Sequence, residues 1–421
     1  MKTIAMVAFF ILVYFLSPPY ALSSAPNVTS PSSVELNVAV LFSTKGHRGL
    51  FKQVKQKFES SNPNIKVNFH GLLDAEYKQA VSGWLESGEM DVLYWQAGNR
   101  LTFLAKNNLI APLNDMWRDN QWANLFPAQV QDAVRYDGNL YGLPFAFYAW
   151  GMVYNHTLLN ELEVIRPKNW PELVDYCREL TSKSITPIMI GSDDPWVPAA
   201  WFDYIDLRLN GLIFHQQLLR GEIAYTDQRV VEVFEYWKQL IDANCFYKGH
   251  QHIDWRSILP PLYRKVAGMA LLANFLDSDV PQHFVKDIGF YPFPEITPDL
   301  PRYEDIPLDV FIIAKKTKHP KQARAFLNFL AHPDMQDQIA KVLGQSVPKK
   351  NPNQDTGHFA KKNYTLLNES AGFAQYFDRD VEQSMVSGSL RVFRNFLSNP
   401  DIERATRDLE FLRQQALFNS D

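Results

Sequence analysis

Apolar positions along this chain alternate between two periods. Residues 36–42 form a β-type run, and Thr44-Lys45-Gly46-His47 follows as a turn. Leu50, Phe51, Val54 and Phe58 then recur at spacings of three and four, the apolar face of a helix. Asn62-Pro63-Asn64 breaks that pattern and introduces a strand over 65–69. A helical segment over 74–86 leads to Met90-Asp91-Val92-Leu93-Tyr94-Trp95, which reads as a buried strand. The β-α-β-α-β order predicts a parallel sheet with ligands at the carboxyl ends of its strands.

Asp137-Gly138 marks a turn, and residues 140–154 beyond it are extended and rich in aromatic side chains. A second α/β region opens at Trp170-Pro171-Glu172, with proline in the first turn of a helix. The clearest helix covers 229–243, where Val230, Phe234, Trp237 and Ile241 make an apolar stripe and Thr226 or Asp227 caps it. Strands are predicted at 288–293 and 308–314. A helix carries Ala323, Phe326, Leu327 and Leu330, and the chain reads as helical from Tyr364 onward.

The length of 421 residues exceeds one ordinary core, so two lobes are expected. The net charge of -4 supplies no basic footprint for nucleic acid, and none is expected as a partner. Lys2 followed by an apolar run over 4–16, then Pro18-Pro19 and the small residues of Ala21-Leu22-Ser23 and Ser23-Ser24-Ala25, predicts a cleaved signal peptide over 1–23. A tether over 24–33 follows, and with no cysteine near the cleavage point a lipid anchor is not expected. Cys177 and Cys245 are the only cysteines; an oxidising compartment permits a pair, while the usual burial of Cys favours free thiols.

Catalytic patterns are sparse. The chain has no G-x-S-x-G, no H-E-x-x-H, no G-x-x-x-x-G-K and no G-x-G-x-x-G, so no cofactor or metal is expected. His250 and His252 form the only close histidine pair and lack a third ligand. Asp193-Asp194 are adjacent in a turn and do not flank a glycosidic bond, which leaves them a hydrogen-bonding role or simple turn chemistry.

What remains is aromatic residues beside small polar ones in predicted loops. They cluster at Tyr94-Trp95-Gln96, at Phe147-Tyr148-Ala149-Trp150, and at Asp193-Asp194-Pro195-Trp196 running on to Trp201 and Tyr204. A sugar ring has apolar C–H faces and a rim of hydroxyls, so its site needs flat rings together with Asp, Asn, Gln or Lys. Core packing is the alternative for each ring.

Ordered segments carry a resemblance across about 300 residues. They include Phe58-Glu59 with Asn62-Pro63-Asn64-Ile65, Leu109-Ile110-Ala111-Pro112-Leu113, Tyr136-Asp137-Gly138-Asn139-Leu140-Tyr141-Gly142-Leu143-Pro144, Trp170-Pro171-Glu172-Leu173 and Ala325-Phe326-Leu327-Asn328-Phe329-Leu330. In these the chain resembles the family 1 extracellular solute-binding proteins. The resemblance implies an α/β clamshell, the periplasmic-binding-protein fold, each lobe a mainly parallel sheet flanked by helices and joined by several crossing segments. It divides the chain into 34–143 with 262–313 and 144–261 with 314–421.

By the same likeness Tyr148, Trp150, Trp95 and Gln96 face the ligand, with Trp201 and Tyr204 opposite and Asp309 near the return crossing. Asp74 and Asn274 are further candidates, beside Asp193 and Trp196 from the third loop. His47 stands in a turn where relatives often show Gly-Gly-Glu, and Asn274-Phe275 replaces the usual Gly-Ser, so the ligand's identity is not inherited. The implied function is that of a monomeric periplasmic carbohydrate receptor for the membrane subunits of an ABC importer. A membrane sensor kinase or chemoreceptor as partner is the alternative, and a secreted glycoside-cleaving enzyme the third reading.

Overall fold

A computed structural model describes residues 33–42, 44–343, 345–350 and 360–418. The expected signal peptide and all of the expected tether but Ser33 fall outside them. Among the described residues no helix is long and apolar enough to cross a membrane.

Two sheets organise the molecule. The first has five strands in the order Ile65–Leu72, Val34–Leu41, Val92–Gln96, Leu308–Ile313 and Leu143–Phe147. Val92–Gln96 is buried at every position, as the apolar run of its first four residues requires of a central strand. Helix Lys45–Ser61 packs beside it with Leu50, Phe51, Val54 and Phe58 buried, the face that the spacing predicts. The second sheet has four strands in the order Ile288–Tyr291, Trp150–Asn155, Ala267–Ala273 and Thr186–Ile188. Helices Trp170–Ser182, Ala199–Leu209 and Gln228–Asp242 surround it with the C-terminal pair Val386–Ser398 and Ile402–Phe418.

Both sheets are mixed rather than mainly parallel. Leu308–Ile313 runs antiparallel to both of its neighbours, and Trp150–Asn155 runs antiparallel to both of its own. The cause is the crossing of the chain. A strand that arrives from the other half enters the sheet from the opposite end, and antiparallel pairing needs no covering crossover helix.

The division of the chain also differs from the one drawn on the sequence. Ala267–Ala273 and Ile288–Tyr291 belong to the second sheet, although the resemblance places 262–313 in the first lobe. Helices Pro320–Ala331 and Pro333–Leu343, assigned to the second lobe, pack on the first. A strand such as Ala267–Ala273, buried throughout, carries no periodicity that says which sheet it joins. Helix Gln228–Asp242 shows a finer shift. Asp227 caps it, its carboxylate accepting the Arg229 N–H at 2.9 Å, and Leu240 rather than Ile241 completes the buried face.

Cys177 and Cys245 form a disulfide with their Cα atoms 5.0 Å apart, which corrects the expectation of free thiols. Burial suits either state, and only the fold brings together positions 68 residues apart. The bond ties helix Trp170–Ser182 to the segment after Gln228–Asp242. Its removal by Cys177→Ser with Cys245→Ser is expected to cost about 2–5 kcal/mol. Urea unfolding with and without reductant checks this, and a wild type indifferent to reductant would show the bond to be absent.

Candidate functional site

The two sheets end on one cavity, which bounds about 650 Å³ of empty space partly open to solvent. Sheet register explains how its residues meet. Gln96 closes strand Val92–Gln96 and pairs with Asp309 at the start of the return strand, so both sit at the same sheet edge. Trp150 opens the first strand of the second sheet opposite Ala273, which brings Phe275 to its side.

One wall is aromatic. Trp150 stacks on Tyr376 with ring centres 4.7 Å apart and planes at 19°, and Trp196 meets Trp150 edge-on at 5.9 Å. Phe275 meets Tyr148 at 5.3 Å and Trp255 at 5.0 Å, both edge-on. Asp194 accepts the Trp255 N–H at 3.0 Å and so holds that ring's loop in place. The Asp-Asp-Pro-Trp segment thus contributes a ring through Trp196 and a support through Asp194.

The other wall is polar and internally paired. Arg379 donates to the Leu308 carbonyl at 2.9 Å and to the Tyr148 hydroxyl, and its guanidinium lies 3.0 Å from Asp309. Tyr94 donates to the other Asp309 oxygen. Asp378 accepts from Arg100 at 2.9 Å and from Lys78 at 3.4 Å, and Lys78 also reaches Asp74 at 2.8 Å. Arg100 completes the wall by donating to Gln96 Oε1 at 2.7 Å.

These environments tune the charges. Burial pushes the Asp378 carboxyl up, but Arg100, Lys78 and Arg379 outweigh it and hold the group below its ordinary range. At Asp309 burial prevails over the help of Arg379 and Tyr94, and its proton affinity is raised. His47 is lowered to about 4, by burial first and by the Arg48 charge second. Its Nδ1 accepts the Thr44 N–H at 3.3 Å, while the Thr44 hydroxyl accepts the His47 N–H at 3.2 Å. This reciprocal cap opens helix Lys45–Ser61.

Seven of the twelve sequence candidates meet at the cavity. They are Gln96, Asp309, Asp74 and His47 from the first half, and Tyr148, Trp150 and Trp196 from the aromatic wall. The other five lie elsewhere. Trp95 points behind its strand and donates to the Arg100 carbonyl at 3.3 Å, while Asp193 is exposed. Trp201 is buried against Phe246 at 4.9 Å and Phe293 at 5.6 Å, because helix Ala199–Leu209 is enclosed along nearly all its length. Tyr204 is buried too and donates to the Trp150 carbonyl at 2.7 Å, supporting that ring's backbone. Asn274 is buried beside Phe275, and Phe275 takes the wall position.

Sequence reasoning missed Trp255, Phe275, Tyr376, Arg379, Asp378 and Lys78. Phe275 carried a signal, since a ring stands there in place of a small residue. Tyr376 and Arg379 carried none, because that part of the chain reads only as helical. Among the described residues no three His, Cys, Asp or Glu side chains are placed to share a metal ion.

Two α/β halves with a cavity of rings and hydrogen-bonding groups between them define a receptor for a small solute. Residues 44–337, more than half of the chain, match the model of the bacterial extracellular solute-binding proteins, and the chain belongs to that family. An ABC transporter extracellular-binding protein of Pyrococcus horikoshii is 22% identical over 343 residues, which cover 79% of this chain and 76% of the relative. The maltotriose-binding protein of Pyrococcus abyssi is 22% identical over 304 residues, which cover 70% of this chain and 62% of the relative. Among solved structures, the bacterial solute receptor AcbH, described by its preference for β-D-galactopyranose, matches with a TM-score of 0.85 at 23% identity over 92% of this chain and 99% of its own. A chitin oligosaccharide binding protein matches with a TM-score of 0.83 at 17% identity over 92% of this chain and 100% of its own. At these identities the structural likeness establishes the two-lobed fold.

Two outcomes follow for the walls. Trp201→Ala is expected to cost about 3–5 kcal/mol in chemical unfolding, the cost of emptying a buried tryptophan site; a variant as stable as wild type would put that ring back on the cavity wall. His47 takes up its proton near 6.5 when unfolded and near 4 when folded, so the folded form binds fewer protons between these values. Its stabilising contribution is complete above about pH 6.5 and is lost as pH falls toward 4, by about 3 kcal/mol in all. The stability difference between wild type and His47→Gln should shrink by that amount from pH 7 to 4, and a constant difference would mean that the imidazole is not buried neutral.

Proposed function

We propose that this protein is a periplasmic carbohydrate receptor that closes its two lobes over an oligosaccharide and presents it to the membrane subunits of an ABC importer. The observation that carries the reading is the cavity itself, with stacking rings on one wall and fixed polar groups on the other, bounded by two sheets. Rings at several different orientations suit more than one sugar unit, each offering its C–H face to a different plane. The naming of relatives for maltotriose, galactopyranose and chitin oligosaccharides supports a sugar as cargo.

Binding rather than turnover is favoured by the carboxylates. Asp74, Asp309 and Asp378 each face a cation of the same wall, so none is left as a free general acid or base. The lobe boundary in this reading falls at 147–150 and at 305–308, where the chain passes from one sheet to the other. The molecule acts as a monomer outside the cytoplasm.

A thermal-shift screen against mono- and oligosaccharides, amino acids and short peptides tests the proposal, because a solute that binds only the folded state raises Tm by mass action. Saccharides are expected to raise it and amino acids and peptides to leave it unchanged. Trp196→Ala, which removes a half-buried ring, is expected to weaken the best saccharide about tenfold or more while the apo Tm holds. A peptide as the stabilising solute, or sugar products appearing on incubation, would overturn the reading.

A further inference from the structure

We propose that the solute is an uncharged saccharide, selected by two N–H donors, His47 Nε2–H on one lobe and Trp150 Nε1–H on the other. The inference rests on the receptor reading and specifies which sugars the same cavity takes.

The first argument is charge. Lys78 reaches Asp74 and Asp378, Arg100 reaches Asp378, and Arg379 reaches Asp309, so the charged groups around the cavity are committed to one another. An anionic ligand has to take Arg379 or Lys78 from its carboxylate, and a cationic ligand has to take the carboxylate from its cation. At Arg379–Asp309 and Arg100–Asp378, whose side chains are at most 5% exposed, either exchange strands a buried charge, the costliest arrangement open to an ion pair. An uncharged ligand leaves the network intact.

The second argument is hydrogen bonding. His47 is 3% exposed, and its Nδ1 is occupied as an acceptor by the Thr44 N–H. A neutral imidazole that accepts at Nδ1 carries its proton on Nε2, and His47 Nε2 meets no hydrogen-bond partner in the protein. Trp150 is 2% exposed, its indole can only donate, and its Nε1 likewise meets no partner. Stacking on Tyr376 and the edge of Trp196 hold that ring, so the donor cannot swing away to another acceptor. Gln345, also on the cavity wall, has a buried Oε1 without a partner and supplies an acceptor for a hydroxyl proton.

Both donors are shut away from solvent, and a buried donor left unpaired is penalised. Sugar hydroxyls, ring oxygens and acetamido carbonyls all accept such bonds. Because the two donors stand on different lobes, a ligand satisfies both only when the lobes come together on it. Recognition and closure are therefore read from the same pair of N–H groups.

The test uses matched sugars in calorimetry: D-galactose with D-galacturonate, maltose with maltobionate, and N,N′-diacetylchitobiose with the deacetylated dimer. In whichever pair binds, the uncharged member is expected to bind at least about a hundredfold more tightly than its charged counterpart. With that sugar, Trp150→Phe keeps a ring but loses the donor and is expected to weaken binding about tenfold, as is His47→Leu. His47→Gln restores an N–H and is expected to recover most of the loss. Apo Tm values identify a variant that fails to fold, in which case the pair selectivity and the other position decide. A charged sugar that binds within tenfold of its uncharged counterpart overturns the inference while leaving the receptor reading intact, as does full affinity in both Trp150→Phe and His47→Leu. If no sugar of either kind binds, the receptor reading fails and takes this inference with it.

Discussion

A single buried guanidinium fixes the geometry of the cavity. Arg379 lies in the short turn Phe377–Asp380 and holds the start of the return strand through Asp309 and the Leu308 carbonyl, and the first crossing through the Tyr148 hydroxyl. The same turn is anchored on the other half, where the Phe377 N–H donates to Asp203 at 2.8 Å. Its neighbour Asp378 reaches back to Arg100 and Lys78. Such a pair adds little against an apolar substitute, but breaking one side of it strands the other charge at a cost of about 3–5 kcal/mol. Its role is therefore geometric: it leaves one arrangement of strand end, crossing and C-terminal turn in which Arg379 meets Asp309 and Arg100 meets Asp378.

Around this fixed point the walls divide their tasks. The aromatic wall is assembled from five separate stretches of chain, three of them supported from behind. Tyr204 holds the Trp150 backbone, Asp194 holds the Trp255 loop, and the Tyr376 hydroxyl donates to the Trp196 carbonyl. The polar wall uses its charges on itself and leaves neutral groups to face a solute. Asp309 shows the balance, since burial raises its proton affinity against the pull of Arg379.

The first half of the fold was legible because its signals are local. The run at 36–42, the helix face of Leu50, Phe51, Val54 and Phe58, and the turn at Asn62-Pro63-Asn64 all encode structure within a few residues, and the helix and strands lie where they indicate. The cavity was legible where a ring or amide stands at the end of a strand, as with Gln96 and Trp150. It was misread at Trp201 and Tyr204, where the same Trp and Tyr composition sits on an enclosed helix and serves the core. Composition does not distinguish a ring on a wall from a ring in a core; the helical turn that directs it does. Arg379 and the Cys177–Cys245 pair were beyond reach for a different reason, since both depend on residues brought together only by the finished topology.

The crossing of the chain has a consequence for how the molecule forms. Tyr94 and Asp309 are joined across adjacent strands although 215 residues separate them. The first sheet therefore stays open on one side until three quarters of the polypeptide has emerged, and its completion waits on a search between distant partners. A chain built this way is slow to lock. Its last strands settle later than those of a chain whose strands pair with their nearest neighbours.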